Sequence, residues 1–137
     1  MLNSSIHVLI IDDDEINNFI ASKIIIKSSP STKISTCMNG KQGISFLNNC
    51  LKNPTNFPDI IFLDINMPEI NGWEFLDWYE KNMLPILNKK IIINIISSSV
   101  YNNDELKSKS YYFVNKFVSK PLCIETIKNL FSDISPT

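Results

Sequence analysis

The chain has 137 residues, 13 basic and 14 acidic side chains, and 44% hydrophobic residues. This length predicts one domain with enough buried surface for a hydrophobic core. All basic residues are lysines, and the only histidine is His7. The missing arginines argue against a protein that reads DNA bases, and one histidine cannot build a histidine-rich zinc site. Cys37, Cys50 and Cys123 lack paired spacing and are expected to be free thiols.

Neither a membrane span nor a secretory signal is evident in the sequence. The longest apolar stretch, residues 91–96, is far shorter than the ~20 residues that cross a bilayer. The N-terminal segment is short and polar, unlike a signal peptide. No repeat or linker divides the chain. We therefore expect a cytoplasmic protein with a single domain over residues 1–137 and a core of about 6–133.

In chain order, short apolar runs alternate with segments of helical periodicity. In the first half, strands are predicted at 7–11, 33–37 and 59–63, and helices at 15–28 and 43–51. In the second half, helices are predicted at 73–83, 102–110 and 124–131, and strands at 90–96 and 112–118. The first helix is indicated by a stripe of apolar residues at helical spacing, formed by Ile16, Phe19, Ile20 and Ile24. His7, which opens the first strand, is expected at the surface.

Strands that alternate with helices predict an α/β fold, here a five-stranded parallel sheet with helices on both faces. The fourth strand is apolar at nearly every position, as expected for a strand covered on both faces. Right-handed crossovers bring the carboxyl ends of all strands to one edge of the sheet. Ligand sites of open α/β sheets lie at that edge, so the residues that follow each strand are the candidates for function.

Charged and hydroxyl residues follow four of the five predicted strands. Asp12 and Asp13 follow the first strand, Asp64 the third, Ser97 the fourth and Lys120 the fifth. Three carboxylates that are held close together repel one another, and a cation that neutralises them stabilises the cluster. Oxygen ligands that leave room for water fit Mg²⁺.

Three other motifs fail on inspection. Residues 12–15 do not begin a calcium loop, because Ile16 stands where the third oxygen ligand should be. The segment Gly40-Lys41-Gln42 lacks the upstream glycine and the hydroxyl residue of a phosphate-binding loop. A phosphatase of the Asp-x-Asp type needs an acid at position 66, which is Asn66.

Several separated motifs resemble the receiver domain of bacterial two-component response regulators, in particular the stand-alone, chemotaxis-regulator-like kind. They occur in the family's order and spacing: Ile10-Ile11-Asp12-Asp13-Asp14, Leu63-Asp64-Ile65-Asn66-Met67-Pro68, Gly72, Ser97 and Lys120-Pro121. The resemblance covers about residues 6–133 and implies a flavodoxin-like (βα)5 fold. It also implies a phosphoprotein that acts in a phosphorelay and not as an enzyme, beyond its own phosphoryl transfer and autodephosphorylation.

The resemblance assigns a role to each residue of the site. Asp64 matches the phosphoacceptor, which takes its phosphoryl group from a histidine kinase or a histidine phosphotransfer protein. Asp13 matches the direct Mg²⁺ ligand, Asp12 the acid that holds the metal mainly through water, and Asn66 a ligand through its backbone carbonyl. Lys120 matches the lysine that pairs with the acceptor carboxylate and later with a phosphoryl oxygen.

Two further residues match the family's switch. The Ser97 hydroxyl is expected to follow the phosphoryl group, and Phe117 is expected to turn inward. The resemblance also implies a cis peptide bond between Lys120 and Pro121. The signalling surface is expected on the fourth helix, fifth strand and fifth helix, where an unknown downstream protein binds or a phosphorylation-dependent homodimer forms.

The sequence departs from the family in two places. Ser97 replaces the commoner threonine, and two more serines follow it. The separation from Lys120 favours Ser97 as the residue that matches the family's switch hydroxyl. Ser99 and the Asn66 side chain are expected to tune dephosphorylation. Ser110-Tyr111-Tyr112 replaces the usual Gly-Ala pair, which leaves the end of the fourth helix open. The alternatives to a phosphorylation-switched receiver are an interaction module of the same fold that works without phosphate and a small Mg²⁺-dependent hydrolase.

Overall fold

The computed structural model describes residues 6–98 and 102–132. Its strands form one parallel sheet in the order β2-β1-β3-β4-β5. The strands are β1 His7–Ile11, β2 Lys33–Cys37, β3 Ile60–Asp64, β4 Ile92–Ser97 and β5 Val114–Ser119. The helices are α1 Glu15–Ser28, α2 Gly40–Cys50, α3 Gly72–Trp78, α4 Asn102–Ser108 and α5 Ile124–Ser132. The predicted α/β class and the alternation of strands and helices are confirmed.

Two hydrophobic clusters cover the two faces of the sheet. Alternate residues of β1 point to opposite faces, as the pleat of a strand requires, so Leu9 and Val8 belong to different clusters. One cluster packs α2 and α3 on the sheet, and the other packs α1 and α5. All residues of β1 and β3 are buried, so the sheet rigidly positions the loops at its carboxyl edge.

Several element boundaries differ from the predicted ones. The second helix begins at Gly40, because the Asn39 side chain accepts a hydrogen bond from the Gln42 N–H and caps it. The third helix gives way to a π-helical turn over Tyr79–Met83 and a 3₁₀ turn over Leu84–Ile86. The fourth and fifth strands begin at 92 and 114, each two residues later than predicted.

Most of the apolar stripe that indicates α1 faces away from the core. Ile16, Phe19 and Ile20 are 72%, 62% and 47% exposed, whereas the face toward the sheet consists of Asn18, Ala21 and Ile25, with Ile24 half-buried. The Asn18 amide donates to the Asp12 carbonyl oxygen at 2.9 Å, which fixes the rotation of the helix. The exposed residues form a patch, here called the α1 patch (Ile16, Phe19 and Ile20).

The prediction that His7 is a surface residue is wrong, because β1 lies inside the sheet between β2 and β3. Its side chain is buried, and the ring Nε2 lies 2.9 Å from the Ser35 hydroxyl. Burial and the neighbouring Lys33 lower the pKa of His7. The cysteines are free thiols, as predicted. Within the described ranges, no helix combines the length and the apolar character that crossing a bilayer requires.

Candidate functional site

The carboxyl edge of the sheet brings the predicted site residues together. Asp12 and Asp13 follow β1 directly, Asp64 is the last residue of β3, Ser97 is the last residue of β4, and Lys120 follows β5. One carboxylate oxygen from each of the three aspartates lies within 4.8 Å of the others. The clustering predicted from the strand ends is therefore present in the structure.

The three carboxylates differ in exposure. Asp12 and Asp64 are buried, whereas Asp13 is exposed, so the cluster opens to solvent on the Asp13 side. A hard divalent cation prefers oxygen ligands, and Mg²⁺ usually keeps several waters in its shell. Because the oxygens converge and one side is open, the residues present fit a hydrated Mg²⁺ ion.

Asp12 is tightly held by hydrogen bonds. Its Oδ2 accepts from Lys120 Nζ at 2.8 Å and from Asn17 Nδ2 at 2.9 Å, and its Oδ1 accepts from the Asp14 N–H at 3.0 Å. Burial raises the pKa of Asp12, but these donors outweigh burial and hold the pKa below its ordinary value. Burial lowers the pKa of Lys120, but the contacts with Asp12 and Asp64 outweigh it and raise the pKa.

Asp64 is held less tightly than Asp12. Its Oδ2 lies 3.6 Å from Lys120 Nζ, and its Oδ1 lies 3.4 Å from the Asn66 N–H. Burial and the charge of Asp12 raise the pKa of Asp64 to about 6. The resemblance implied that Lys120 pairs with Asp64, but in the structure the shorter ion pair joins Lys120 to Asp12.

The loop between β3 and α3 packs closely against the acceptor aspartate. A Cβ atom on Gly72 would lie 2.6 Å from the Asp64 carbonyl oxygen, so only glycine fits there. Glu69 and Ile70 have positive φ angles of 51° and 79°, which are uncommon for residues with a side chain. This loop carries Asn66 past the carboxylates; that its carbonyl binds metal stays a prediction.

The predicted switch residues lie on the two strands next to the site. Ser97 is fully buried, and its carbonyl accepts the Lys120 N–H at 2.8 Å. Phe117 is half-buried on β5 and packs against the cluster beneath α2 and α3. The Lys120-Pro121 peptide is cis, as the resemblance implied. Ser99 lies outside the described residues.

The segment that replaces the usual Gly-Ala pair contacts α3. The Tyr111 ring stacks on Trp73 with centroids 5.7 Å apart, and its hydroxyl donates to Asp77 Oδ1 at 2.8 Å. Lys107 Nζ lies 4.7 Å from the centroid of the Trp73 ring. The sequence left the end of the fourth helix open; in the structure α4 ends at Ser108 and is joined to α3 through Trp73.

Sequence reasoning missed Asn17 as part of the site. Asn17 is the third residue of α1 and follows the N-cap residue Asp14, whose carboxylate accepts the Asn17 N–H at 3.0 Å. In the sequence, the feature that pointed to Asn17 was its position a few residues after Asp12, because a residue in the first turn of a helix can reach back to the end of the preceding strand. An asparagine at this position could equally well point into solvent, so the sequence did not predict its hydrogen bond to Asp12.

Comparison with known proteins gives a consistent result. The family model of the response regulator receiver domain matches residues 8–132. A crystal structure of a two-component response regulator from Cytophaga hutchinsonii matches with a TM-score of 0.86 and 35% identity, covering 96% of this chain and 98% of that chain.

Two curated relatives differ in how much of their length the chain covers. The protein-glutamate methylesterase/protein-glutamine glutaminase of Treponema denticola is 37% identical over 94 residues, which are 68% of this chain but 22% of that protein. The polar-differentiation response regulator DivK of Brucella ovis is 25% identical over 133 residues, covering 92% of this chain and 96% of that protein. The chain spans less than half the length of several of the curated relatives it matches. On the family match and the Cytophaga relative, the chain belongs to the response regulator receiver domain family of two-component signalling.

Proposed function

We propose that this protein is a phosphorylation-switched receiver in which Asp64 accepts a phosphoryl group in a Mg²⁺-dependent reaction. The observation that carries the proposal is the convergence of Asp12, Asp13 and Asp64 beside Lys120 at the carboxyl edge of the sheet. Phosphoryl transfer depends mainly on positioning and on neutralising charge, and this cluster supplies the residues for both.

The metal ligands would be the side chains of Asp12, Asp13 and Asp64 together with the backbone carbonyl of Asn66. Asp13 is exposed and would bind the ion directly, while the hydrogen bonds of the buried Asp12 favour a contact through water. When bound, Mg²⁺ would neutralise part of the negative charge of the carboxylates and of the incoming phosphoryl group.

Asp64 would act as the nucleophile. One of its carboxylate oxygens attacks the phosphorus, a P–O bond forms, and the bond between phosphorus and the donor histidine nitrogen breaks. The nitrogen leaves with the electron pair of that bond. Lys120, already 3.6 Å from Asp64, moves toward the phosphoryl oxygens and stabilises their charge. The donor would be a histidine kinase or a histidine phosphotransfer protein.

The signal would leave the site through Ser97 and Phe117. The Ser97 hydroxyl moves toward the new phosphoryl oxygens, and the half-buried Phe117 ring turns further inward. Ser97 ends β4, the strand that precedes α4 in the chain, and Phe117 lies on β5, which contacts α4. The movement would therefore change the surface formed by α4, β5 and α5. We propose that this surface binds the downstream protein, or a second copy of the chain, in a phosphorylation-dependent way.

The α1 patch offers a surface for the phosphodonor protein. The patch begins in the first turn of α1. This turn comes shortly after Asp12 and Asp13, the two aspartates of the acidic cluster that follow β1. Exposed apolar residues next to a reactive site favour protein contact over free solvent. A donor that docks there would bring its histidine near Asp64.

The proposal is tested with acetyl phosphate, a small phosphodonor that needs no partner protein. With Mg²⁺, we expect intact-mass measurement to show one added phosphoryl group on the wild type and on the control variant Glu80→Gln, which changes an exposed carboxylate outside the site to an amide. We expect none on Asp64→Asn and none without Mg²⁺. Labelling that persists in Asp64→Asn would refute the assignment of the acceptor. Absence of labelling in the wild type would favour the phosphate-independent interaction module.

A further inference from the structure

Asn17 shares an acceptor oxygen with the lysine of the site. Asp12 Oδ2 receives Lys120 Nζ at 2.8 Å and Asn17 Nδ2 at 2.9 Å. The Asn17 backbone is fixed in turn, because its N–H donates to the N-cap carboxylate of Asp14 at 3.0 Å. The Asn17 amide is therefore held against a fully buried carboxylate by the first turn of a helix.

Lys120 must change partners if Asp64 is phosphorylated. In the structure it is 2.8 Å from Asp12 and 3.6 Å from Asp64, so its main contact is with Asp12. Movement onto a phosphoryl oxygen at Asp64 weakens that contact. A buried carboxylate that loses its charged partner is strongly destabilised unless other donors remain. The Asp14 N–H contacts the other oxygen of Asp12, so among the protein groups that the structure describes, Asn17 is the donor that stays at Oδ2.

We propose that Asn17 is a positioning residue that keeps Asp12 Oδ2 hydrogen-bonded while Lys120 moves to the phosphoryl group. This inference rests on the proposed function and adds a residue to it. In the structure the Asn17 amide donates to Asp12 Oδ2, so Asn17 would act on the phosphorylated site through Asp12. Its effect is therefore specific to the state in which Lys120 has moved, and it should be small in the state that holds Mg²⁺ alone.

The test separates these two states with two probes. Calorimetry measures the affinity for Mg²⁺ alone, and tryptophan fluorescence measures the affinity for beryllofluoride, a phosphoryl mimic, at saturating Mg²⁺. For Asn17→Ala we expect beryllofluoride affinity to fall about tenfold, as for the loss of one hydrogen bond to a charged group. The affinity for Mg²⁺ should stay within about threefold of the wild type.

Two further variants check the cause. Asn17→Gln keeps an amide donor and should lose less beryllofluoride affinity than Asn17→Ala. Asn48→Ala removes an exposed asparagine from α2, remote from the acidic cluster, and should behave as the wild type. If Asn17→Ala does not fold, as judged by circular dichroism, Asn17→Gln and Asn17→Leu are compared, since leucine has the shape of asparagine without the donor.

Each outcome decides the inference. Equal beryllofluoride affinity in the wild type and the variant without the donor would overturn it. A parallel loss of Mg²⁺ and beryllofluoride affinity would also overturn it, because general damage to the pocket would then explain the effect. If the wild type itself does not bind beryllofluoride, the proposed function fails and this inference fails with it. A selective loss of beryllofluoride affinity supports it.

Discussion

At the level of single residues, Asp12 and Asp64 lie in the same pocket but have opposite electrostatic surroundings. Asp12 receives Lys120, Asn17 and the Asp14 N–H, which hold its pKa below the ordinary value against the effect of burial. Asp64 has longer contacts, and burial with the charge of Asp12 raises its pKa to about 6. Without a cation, the charged form of Asp64 therefore destabilises the folded protein at neutral pH.

We predict that Asp64→Asn stabilises the protein in metal-free buffer. The folded wild type keeps the Asp64 proton up to about pH 6, whereas the unfolded chain releases it near the ordinary value of 3.8. The folded state thus binds more protons in this window, and its stability falls as pH rises through it. Above about pH 6, a pKa shift of this size corresponds to about 3 kcal/mol, and solvent screening at the open site lowers the expected advantage of Asp64→Asn to about 2 kcal/mol in free energy of unfolding.

Urea denaturation at several pH values in the presence of a chelator measures this difference. We expect the two proteins to be equally stable below about pH 4, with the gap opening between pH 4 and pH 6. Millimolar Mg²⁺ should then raise the stability of the wild type at neutral pH, because the ion binds only the folded state. A gap that does not depend on pH would contradict this account of Asp64.

At the level of elements, α3 contacts α4 and the segment that follows α4 through the Trp73 ring. Trp73 contacts both the Tyr111 ring and the Lys107 ammonium group, and Tyr111 also donates to Asp77. Gly72, next to Trp73, packs on the backbone of Asp64. A continuous set of contacts therefore joins the acceptor loop to the segment that precedes β5.

We predict that Tyr111→Ala lowers the free energy of unfolding by about 2 kcal/mol, because it removes ring stacking and a hydrogen bond. Tyr111→Phe keeps the stacking and should cost less than about 1 kcal/mol. Tyr112→Ala is the control, since this neighbouring ring is 77% exposed. Urea denaturation measures all three variants. If Tyr112→Ala lowers the free energy of unfolding as much as Tyr111→Ala does, the contacts of Tyr111 with Trp73 and Asp77 do not explain the loss of stability.

The sequence predicted the type and order of the elements better than their orientation. Strands were recognisable because uninterrupted apolar runs in β1 and β3, at 8–11 and 60–63, are followed directly by aspartates. The rotation of α1 was not predictable from its apolar residues, because Asn18 binds the Asp12 carbonyl and Ile16 is left outside. Apolar periodicity predicts a buried face only where packing, and not a polar contact, fixes the helix.

The sequence predicted which charged residues lie together in the candidate site, but not which of them form the shortest ion pair. The carboxyl edge of a parallel sheet necessarily collects the residues that follow the strands, so the strand assignments sufficed to place Asp12, Asp64 and Lys120 together. Lys120 lies 2.8 Å from Asp12 and 3.6 Å from Asp64, and the spacing of these residues in the sequence does not predict which of the two ion pairs is shorter. The hydrogen bond from Asn17 to Asp12 was unpredictable for a similar reason, since it depends on where α1 begins relative to β1.

At the level of the whole molecule, the hydrophobic core and the acidic cluster occupy different parts of the sheet. The two hydrophobic clusters hold the sheet on both faces, while the carboxylates lie at one edge of it. Because the edge is outside the clusters, a phosphoryl group added to Asp64 can change charge and hydrogen bonding without opening the core. The rearrangement would therefore be confined to the loops and to the surface of α4, β5 and α5.

The central claim is that Asp64 is the phosphoacceptor, and chemical trapping of the acyl phosphate tests it most directly. The protein is treated with acetyl phosphate and Mg²⁺, reduced with borohydride, which converts a phosphorylated aspartate to homoserine, and mapped by peptide mass spectrometry. We predict homoserine at position 64 and unmodified aspartate at positions 12 and 13. Homoserine at position 12 or 13, or unmodified aspartate at all three positions after treatment, would contradict the account.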